Sequence, residues 1–241
     1  MRTVAIIQAR MGSTRLPGKV LANIAGMTML ERVIQRTQQA SLVDDVVVAT
    51  TINRIDDPIM RTCIKLGVSC SRGMEDDVLN RYMGAAMLFD AGVIVRITAD
   101  CPFIDPDIID KVILGRQSSK ADYASNTITR TYPRGLDVEV FTYDALRIAF
   151  VKAMKNYERS HVTPYFYEHP ELFNIHSSKY PIGNCSDHRW TVDTEEDLVF
   201  AREVYKQCDD LAPWYSILGF VSTTGLQRIN GHVRQKELHE G

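Results

Sequence analysis

The sequence has no long apolar run, no surplus of positive charge and no closely paired cysteines, and each lack removes a class of function. No stretch approaches the roughly 18 apolar residues that a membrane-spanning helix requires. The first apolar run, Val4-Ala5-Ile6-Ile7, is short and soon meets arginines, which predicts no secretory leader. Lys and Arg number 28 against 30 Asp and Glu, a net charge of −2. General nucleic-acid binders are basic overall, so any anion site here must be local. Five cysteines (Cys63, Cys70, Cys101, Cys185 and Cys208) contain no CxxC pair and read as reduced thiols. Asn184-Cys185-Ser186 matches a glycosylation sequon but reads as chance without a secretion signal. Internal repeats and low-complexity linkers are also missing. The expectation is a soluble, cytoplasmic chain that meets neither nucleic acid nor membrane.

The 241 residues, 45% of them hydrophobic, suffice for one large domain with a substantial core. Residues 3–7, 45–50 and 93–98 are short and rich in β-branched side chains, as buried parallel strands are. Helical patterns separate them. Thr28 and Glu31 have capping-box spacing ahead of Met29, Leu30, Val33, Ile34 and Thr37, which share one face. Asp56 with Pro58 starts a second helix that stops at Gly67, before a short strand at 68–70, and residues 75–89 form a third helix. This β-α-β-α order predicts a parallel three-layer α/β sheet. Residues 135–141 alternate, which predicts a half-buried strand carrying Asp137 and Glu139 on its less apolar face. Arg189-Trp190-Thr191-Val192 runs into Asp193, after which Thr194 caps a helix. The last 20 or so residues are polar and expected to be loosely held.

After the first strand comes QARMGSTRLPGKVL, with Arg10, Arg15 and Lys19, the hydroxyls of Ser13 and Thr14, and two glycines. In an open α/β sheet ligands bind beyond the carboxyl ends of the strands, and backbone N–H groups, hydroxyls and guanidinium forks all match phosphate oxygens. The loop is not a Walker A motif, because five residues separate Gly12 from Gly18 and Val20 follows Lys19, nor is it a GxGxxG fingerprint. A surface loop of solvated cations is the plainer alternative.

The whole string resembles the opening of the cytidylyltransferases that activate sugar acids as CMP derivatives. These are the acylneuraminate and Kdo cytidylyltransferases, nearest the spore-coat polysaccharide biosynthesis group. The resemblance recurs at RGMEDDVLNRY (72–82), VRITADCPFIDP (95–106), YPRGLDVEVF (132–141), SHVTPYFYEHP (160–170) and RWTVDTEEDL (189–198). It implies a three-layer, Rossmann-like nucleotide-diphospho-sugar transferase fold with a mostly parallel sheet. A single domain would span 1–225, with about 130–185 forming a small β-containing acceptor and dimerisation region, and 226–241 a polar tail. It also implies CTP and a sugar acid as substrates, a CMP-sugar and pyrophosphate as products, and a homodimer.

Asp100 and Asp193 each end a strand-like segment, and two carboxylates beside a triphosphate are what a hard Mg²⁺ ion needs. Their plainer roles are a brace for the turn before Pro102 and an extra helix cap. The resemblance makes Asp100 the firmer ligand and Asp193 its partner, and makes Arg15, Lys19 and Asp100 catalytic. Gln8, Ala9, Arg10, Met11, Gly12, Ser13, Lys19, Arg72, Asp77, Arg81, Thr98 and Ala99 would line the nucleotide. Arg81 reads equally as a solvated helix arginine, and Asp77 as an acidic first-turn residue. Arg134, Asp137, Glu139 and His161 would face the acceptor. Relatives commonly read Arg-Glu-His where this chain has Arg159-Ser160-His161, which removes a carboxylate partner for His161. Tyr132, Tyr165, Phe166 and Tyr167 read as a dimer contact before a sugar platform. Two rivals are a glycosyltransferase of the same fold, for which Asp105-Pro106-Asp107 is a poor DxD match, and a non-catalytic nucleotide-sensing subunit.

Overall fold

Each of the three β-branched runs forms a strand, and the three lie side by side. In a computed structural model, which describes residues 1–236, the first elements are β1 (Thr3–Gln8), a small hairpin of β2 (Asn23–Ile24) and β3 (Met27–Thr28), and α1 (Met29–Thr37). They are followed by β4 (Asp45–Thr51), α2 (Asp57–Leu66), β5 (Ser69–Gly73), α3 (Val78–Leu88), β6 (Val93–Thr98) and α4 (Pro106–Ser119). The second half contributes β7 (Tyr123–Ser125), β8 (Glu139–Thr142), α5 (Tyr143–Lys152), α6 (Asn156–His161), α7 (Pro164–Glu168), β9 (Ile175–Ser177), α8 (Glu195–Tyr205) and α9 (Trp214–Thr224). Among the described residues one sheet has seven strands in the order β5-β4-β1-β6-β8-β7-β9. β1 pairs in parallel with β4 and β6, and β8 alone runs against its neighbours.

Helices cover both faces, which is why the central strands are apolar throughout rather than alternating. Ala5 and Ile7 of β1 enter a core with α1, α2, α4, α8 and α9, while Val4 and Ile6 enter a second core with α3, α5 and α7. The expected caps form. Thr28 and Glu31 close a capping box on α1, Gly67 ends α2 at φ 66°, and Thr194 caps α8.

Residues 135–141 depart from the expected half-buried strand. Only Glu139–Thr142 is strand, lying between β6 and β7, so Glu139 as well as Val140 and Phe141 is buried. The polar tail also departs from expectation over its described part: Asn230 is buried, and its amide donates to Arg189 O and Asp197 Oδ1, both at 2.9 Å. The remainder, 237–241, lies outside the described residues. Tyr132, Tyr165 and Phe166, read as a dimer contact, are core residues: Tyr132 packs on Tyr180 and Trp214, and Phe166 on Tyr123 and Phe141. Among the described residues no helix is long and apolar enough to cross a membrane.

The chain leaves β1 toward β4 and β5 on one side and returns to β6 on the other, so the topological switch lies between β1 and β6. Residues 134 and 189 form a parallel bridge that brings the segment before β8 to this point. Gly135 permits the approach, having φ +104° and a position where a Cβ would stand 2.5 Å from Thr191 N. Gly135→Ala should therefore lower unfolding stability by about 1–3 kcal/mol through backbone strain alone. A urea midpoint equal to that of the parent chain would refute this.

Candidate active site

The basic loop is bent by its own hydrogen bonds and tied to the neighbouring strand. The Met11 carbonyl accepts from Ser13 N–H at 2.9 Å and Gly18 N–H at 3.0 Å, and Ser13 Oγ accepts from Leu16 N–H at 3.3 Å. Gly18, at φ 72°, turns the chain into a 3₁₀ turn over Lys19–Leu21 that buries Val20. Met11 N–H donates to Asp56 Oδ1 at 2.7 Å, and the other Asp56 oxygen accepts from the Thr51 hydroxyl. Asp56 thus anchors the loop instead of capping α2 with its side chain. Among the described residues, the amides of Gly12, Thr14 and Arg15 donate to no protein acceptor. Gly12 and Thr14 are exposed, and Arg15 is half-buried.

Lys19 is the centre of the site. Its ammonium donates to Asp100 Oδ2 at 3.0 Å, to Asp193 Oδ1 at 2.8 Å and to the Val192 carbonyl at 2.7 Å. All three of its protons are engaged. Burial alone would lower the Lys19 pKa, but the Asp100 and Asp193 charges outweigh it and raise it. The same balance holds Asp100 below the usual carboxylate range: burial opposes its charge, and Lys19 and the Thr98 hydroxyl overcome that. Arg15 Nη2 reaches Asp193 Oδ2 at 3.0 Å. Arg15 and Lys19, expected on a triphosphate, are here paired with carboxylates.

Behind Asp193 lies a network that sequence reasoning missed. Arg189 Nη2 donates to Asp193 Oδ2 at 2.9 Å, and Nε and Nη2 each donate to Asp197, which is fully buried, at 2.8 Å. Arg189 Nη1 donates to Gln235 Oε1 at 2.7 Å, so the tail braces the same guanidinium. The signal was available: Arg189, Asp193 and Asp197 are spaced by four in sequence across a helix start. Cys101 was missed too. Burial pushes its thiol up, which keeps it a neutral donor, 3.6 Å from Asp100 Oδ1.

The remaining nucleotide candidates surround this centre at varying distance. Ala99 N–H donates to the Gln8 carbonyl at 3.1 Å, joining the ends of β1 and β6, and Gln8 Oε1 accepts from Arg96 at 3.2 Å. Thr98 Oγ1 meets the Cys101 thiol at 3.2 Å. Arg10 is half exposed and 3.9 Å from Glu75, and Gly12 faces that same carboxylate. Arg72 braces the loop after β4 through the Thr51 and Asn53 carbonyls and Asp57. Arg81 is buried against the carbonyls of Met74 and Glu75 rather than solvated, and burial lowers its pKa. Asp77 caps α3 and is clasped by Arg159 at 2.6 and 2.9 Å.

Three of the four acceptor candidates line one cavity of about 500 Å³. Asp137 there takes a bidentate pair from Arg130 at 2.5 and 2.8 Å. Glu139 is bound by Arg96 and by the Tyr123 hydroxyl. His161 lines the same cavity, as do Thr163 and Tyr167. Arg134 is outside this lining, in the segment bridged to Arg189. Arg96 and Arg130 are lining residues that sequence reasoning did not assign to the acceptor, and Tyr167, read as a dimer contact before a sugar platform, lines the cavity with them. Asp105 is spent as the α4 cap and accepts from Trp214 N–H at 2.9 Å, so Asp105-Pro106-Asp107 offers no DxD metal motif.

Asp100 Oδ2 and Asp193 Oδ1 converge within 3.0 Å of one point, and both are hard oxygen donors. Few protein oxygens completed by phosphate and water suit a hard divalent cation. The residues fit such an ion. Among the described residues no group of three or more His, Cys, Asp or Glu side chains is placed to hold a metal.

A basic loop facing two carboxylates lies at the switch point of a mostly parallel sheet, where open α/β folds bind their ligands. Residues 4–213 match the cytidylyltransferase family, and the chain belongs to it. An uncharacterized protein of Methanocaldococcus jannaschii is 38% identical over 243 residues, spanning 100% of this chain and 99% of that protein. The spore coat polysaccharide biosynthesis protein SpsF of Bacillus subtilis is 34% identical over 211 residues, 85% of this chain and 87% of its own. A solved cytidylyltransferase of Leptospira borgpetersenii superposes with a TM-score of 0.90 at 32% identity, covering 98% of this chain and all of that one.

The carboxylate network sets a pH dependence. Burial opposes the Asp197 charge, but hydrogen bonds from Arg189 and Asn230 outweigh it and hold the group below its usual range. Its unfolded counterpart titrates near 3.9, so its contribution is complete above that pH and is lost as pH falls through the lower folded value. Asp100 behaves alike. Acid unfolding curves should therefore steepen below about pH 4. In Asp197→Asn the slope there should be shallower, and an unchanged slope would refute the assignment.

Proposed function

We propose that the protein transfers a cytidylyl group from CTP to a hydroxyl of a sugar acid, of nonulosonic or octulosonic type, releasing pyrophosphate. The observation that carries this reading is the convergence of Lys19, Arg15, Asp100 and Asp193 beside a cavity large enough for a sugar. The relation to a spore coat polysaccharide biosynthesis protein supports a role in surface polysaccharide or glycoconjugate assembly.

Asp100 and Asp193 would hold Mg²⁺, which supplies charge neutralisation at the phosphates and acidifies an acceptor hydroxyl. The amides of Gly12, Thr14 and Arg15, with Arg10, Ser13, Arg15 and Lys19, hold the triphosphate and stabilise the leaving pyrophosphate. Gln8, Ala9, Thr98 and Ala99 shape the floor at the β1–β6 junction, and Arg72, Asp77 and Arg81 keep the flanking loops in position. Asp137, Glu139 and His161, with Arg96, Arg130 and Tyr167, orient the acceptor, and Arg134 stands at the boundary with the phosphates. Polar rims of paired carboxylates and guanidiniums suit a polyhydroxylated acceptor.

Pyrophosphate release, screened over the four NTPs against nonulosonic and octulosonic acids with Mg²⁺, tests the reading. Release with CTP and one acceptor class is expected, and no release with any donor would favour a nucleotide-sensing role. Arg15→Met should lower kcat by about 10²–10³-fold, as loss of one preorganised charge donor does. Asp100→Ala should lose turnover while keeping its circular dichroism spectrum. Near-normal rates in either variant would overturn the role given to that residue.

A further inference from the structure

Resting on the nucleotide site proposed above, we infer that Lys19 is a placeholder for the divalent cation, so that cation and triphosphate enter together and the free protein excludes the cation alone. Lys19 Nζ stands where Asp100 Oδ2 and Asp193 Oδ1 converge, at 3.0 and 2.8 Å. A metal bound by those two oxygens needs that same point. Lys19 cannot hold a phosphate while it remains there, because its third proton goes to the Val192 carbonyl.

Charge balance closes the arrangement. Arg15, Lys19 and Arg189 face Asp100, Asp193 and Asp197, three cations against three carboxylates, mostly shielded from water. A divalent cation arriving alone would meet three fixed positive charges and would have to expel Lys19 into no compensating partner. A bare triphosphate would draw Lys19 and Arg15 away, leaving Asp100 with no cation and Asp193 with Arg189 alone beside new negative charge. Leaving a partly buried charge without its partner is costly, so each ligand alone is disfavoured. Together they exchange partners: the cations move to phosphate and the carboxylates to metal. Coupling of this kind is reciprocal, so the metal must tighten CTP by the factor by which CTP tightens the metal.

Removing Lys19 should therefore create a cation site in the nucleotide-free chain. Mn²⁺ binding followed by electron paramagnetic resonance, without nucleotide, is expected to be about tenfold tighter or more in Lys19→Met than in the parent protein, within the usual range of coupling. Adding Asp100→Asn to Lys19→Met should remove that gain. Should Lys19→Met be unstable, its melting temperature should rise on adding Mn²⁺ by more than the parent's does. Equal Mn²⁺ affinity in the parent and Lys19→Met, or equal melting shifts, would overturn the placeholder role. CTP binding measured calorimetrically with and without Mn²⁺ separates the two levels. A parent protein that binds no CTP in either condition would overturn the nucleotide site itself. One that binds CTP equally in both would overturn only the coupling.

Discussion

Three carboxylates and three cations sit at the carboxyl ends of β1 and β6, and the surrounding chain is arranged so that none lacks an opposite charge. Isolated ions in such a place would be strongly disfavoured, whereas a closed and fully hydrogen-bonded cluster is tolerated. That constraint accounts for features far apart in sequence. It explains why Asp197 closes the α8 capping box from a buried position, with both oxygens also serving Arg189. It explains why the polar segment after α9 folds back to give Asn230 and Gln235 to the same network. It also gives the bend of the basic loop a purpose, since the turn at Gly18 is what points Lys19 inward.

The parallel sheet supplies the placement. Because β1 and β6 are neighbours, with Ala99 N–H bonded to the Gln8 carbonyl, the loop after one strand and the aspartate after the other open onto the same rim. Asp193 arrives from a different direction, on a segment that hydrogen-bonds to Asp100 O through Val192 N–H and continues into α8. The antiparallel β8 contributes Glu139 to a cavity beside the rim, where the carboxylates of Asp137 and Glu139 are held in ion pairs with Arg130 and Arg96.

The central strands, the order of helices and the caps of α1 and α8 were legible because local patterns coincide with the buried faces. The basic loop and both aspartates were legible because polar residues stood where an apolar strand ended. The pattern misled at 135–141, where alternation suggested an exposed face. Glu139 is buried because Arg96 and Tyr123 complete its hydrogen bonds, and those partners are 43 and 16 residues away. Arg36 is hidden the same way: it looks like a helix surface residue, yet it donates to the carbonyls of Ile104, Asp210 and Ala212. Burial of a polar side chain depends on partners that only tertiary structure brings together. The pull of Asn230 and Gln235 on Arg189 belongs to this class, so the tail read as loose from composition alone.

A phosphate loop whose cations are free and one whose cations are already paired differ in what they can discriminate. Free cations attract any phosphate, and their selectivity must come from the base or the sugar. Paired cations must first be given up, and they are released on favourable terms only to a ligand that also satisfies the carboxylates left behind. Inorganic phosphate or pyrophosphate without a metal cannot do this, because it offers negative charge to both halves of the cluster. A metal-bearing triphosphate offers each half the opposite charge. Gross affinity is lower by the interactions broken, and selectivity against bare anions rises by the same interactions. In a chain of net charge −2 with one local basic loop, that exchange lets a compact cluster do what a broad positive surface would do without selectivity.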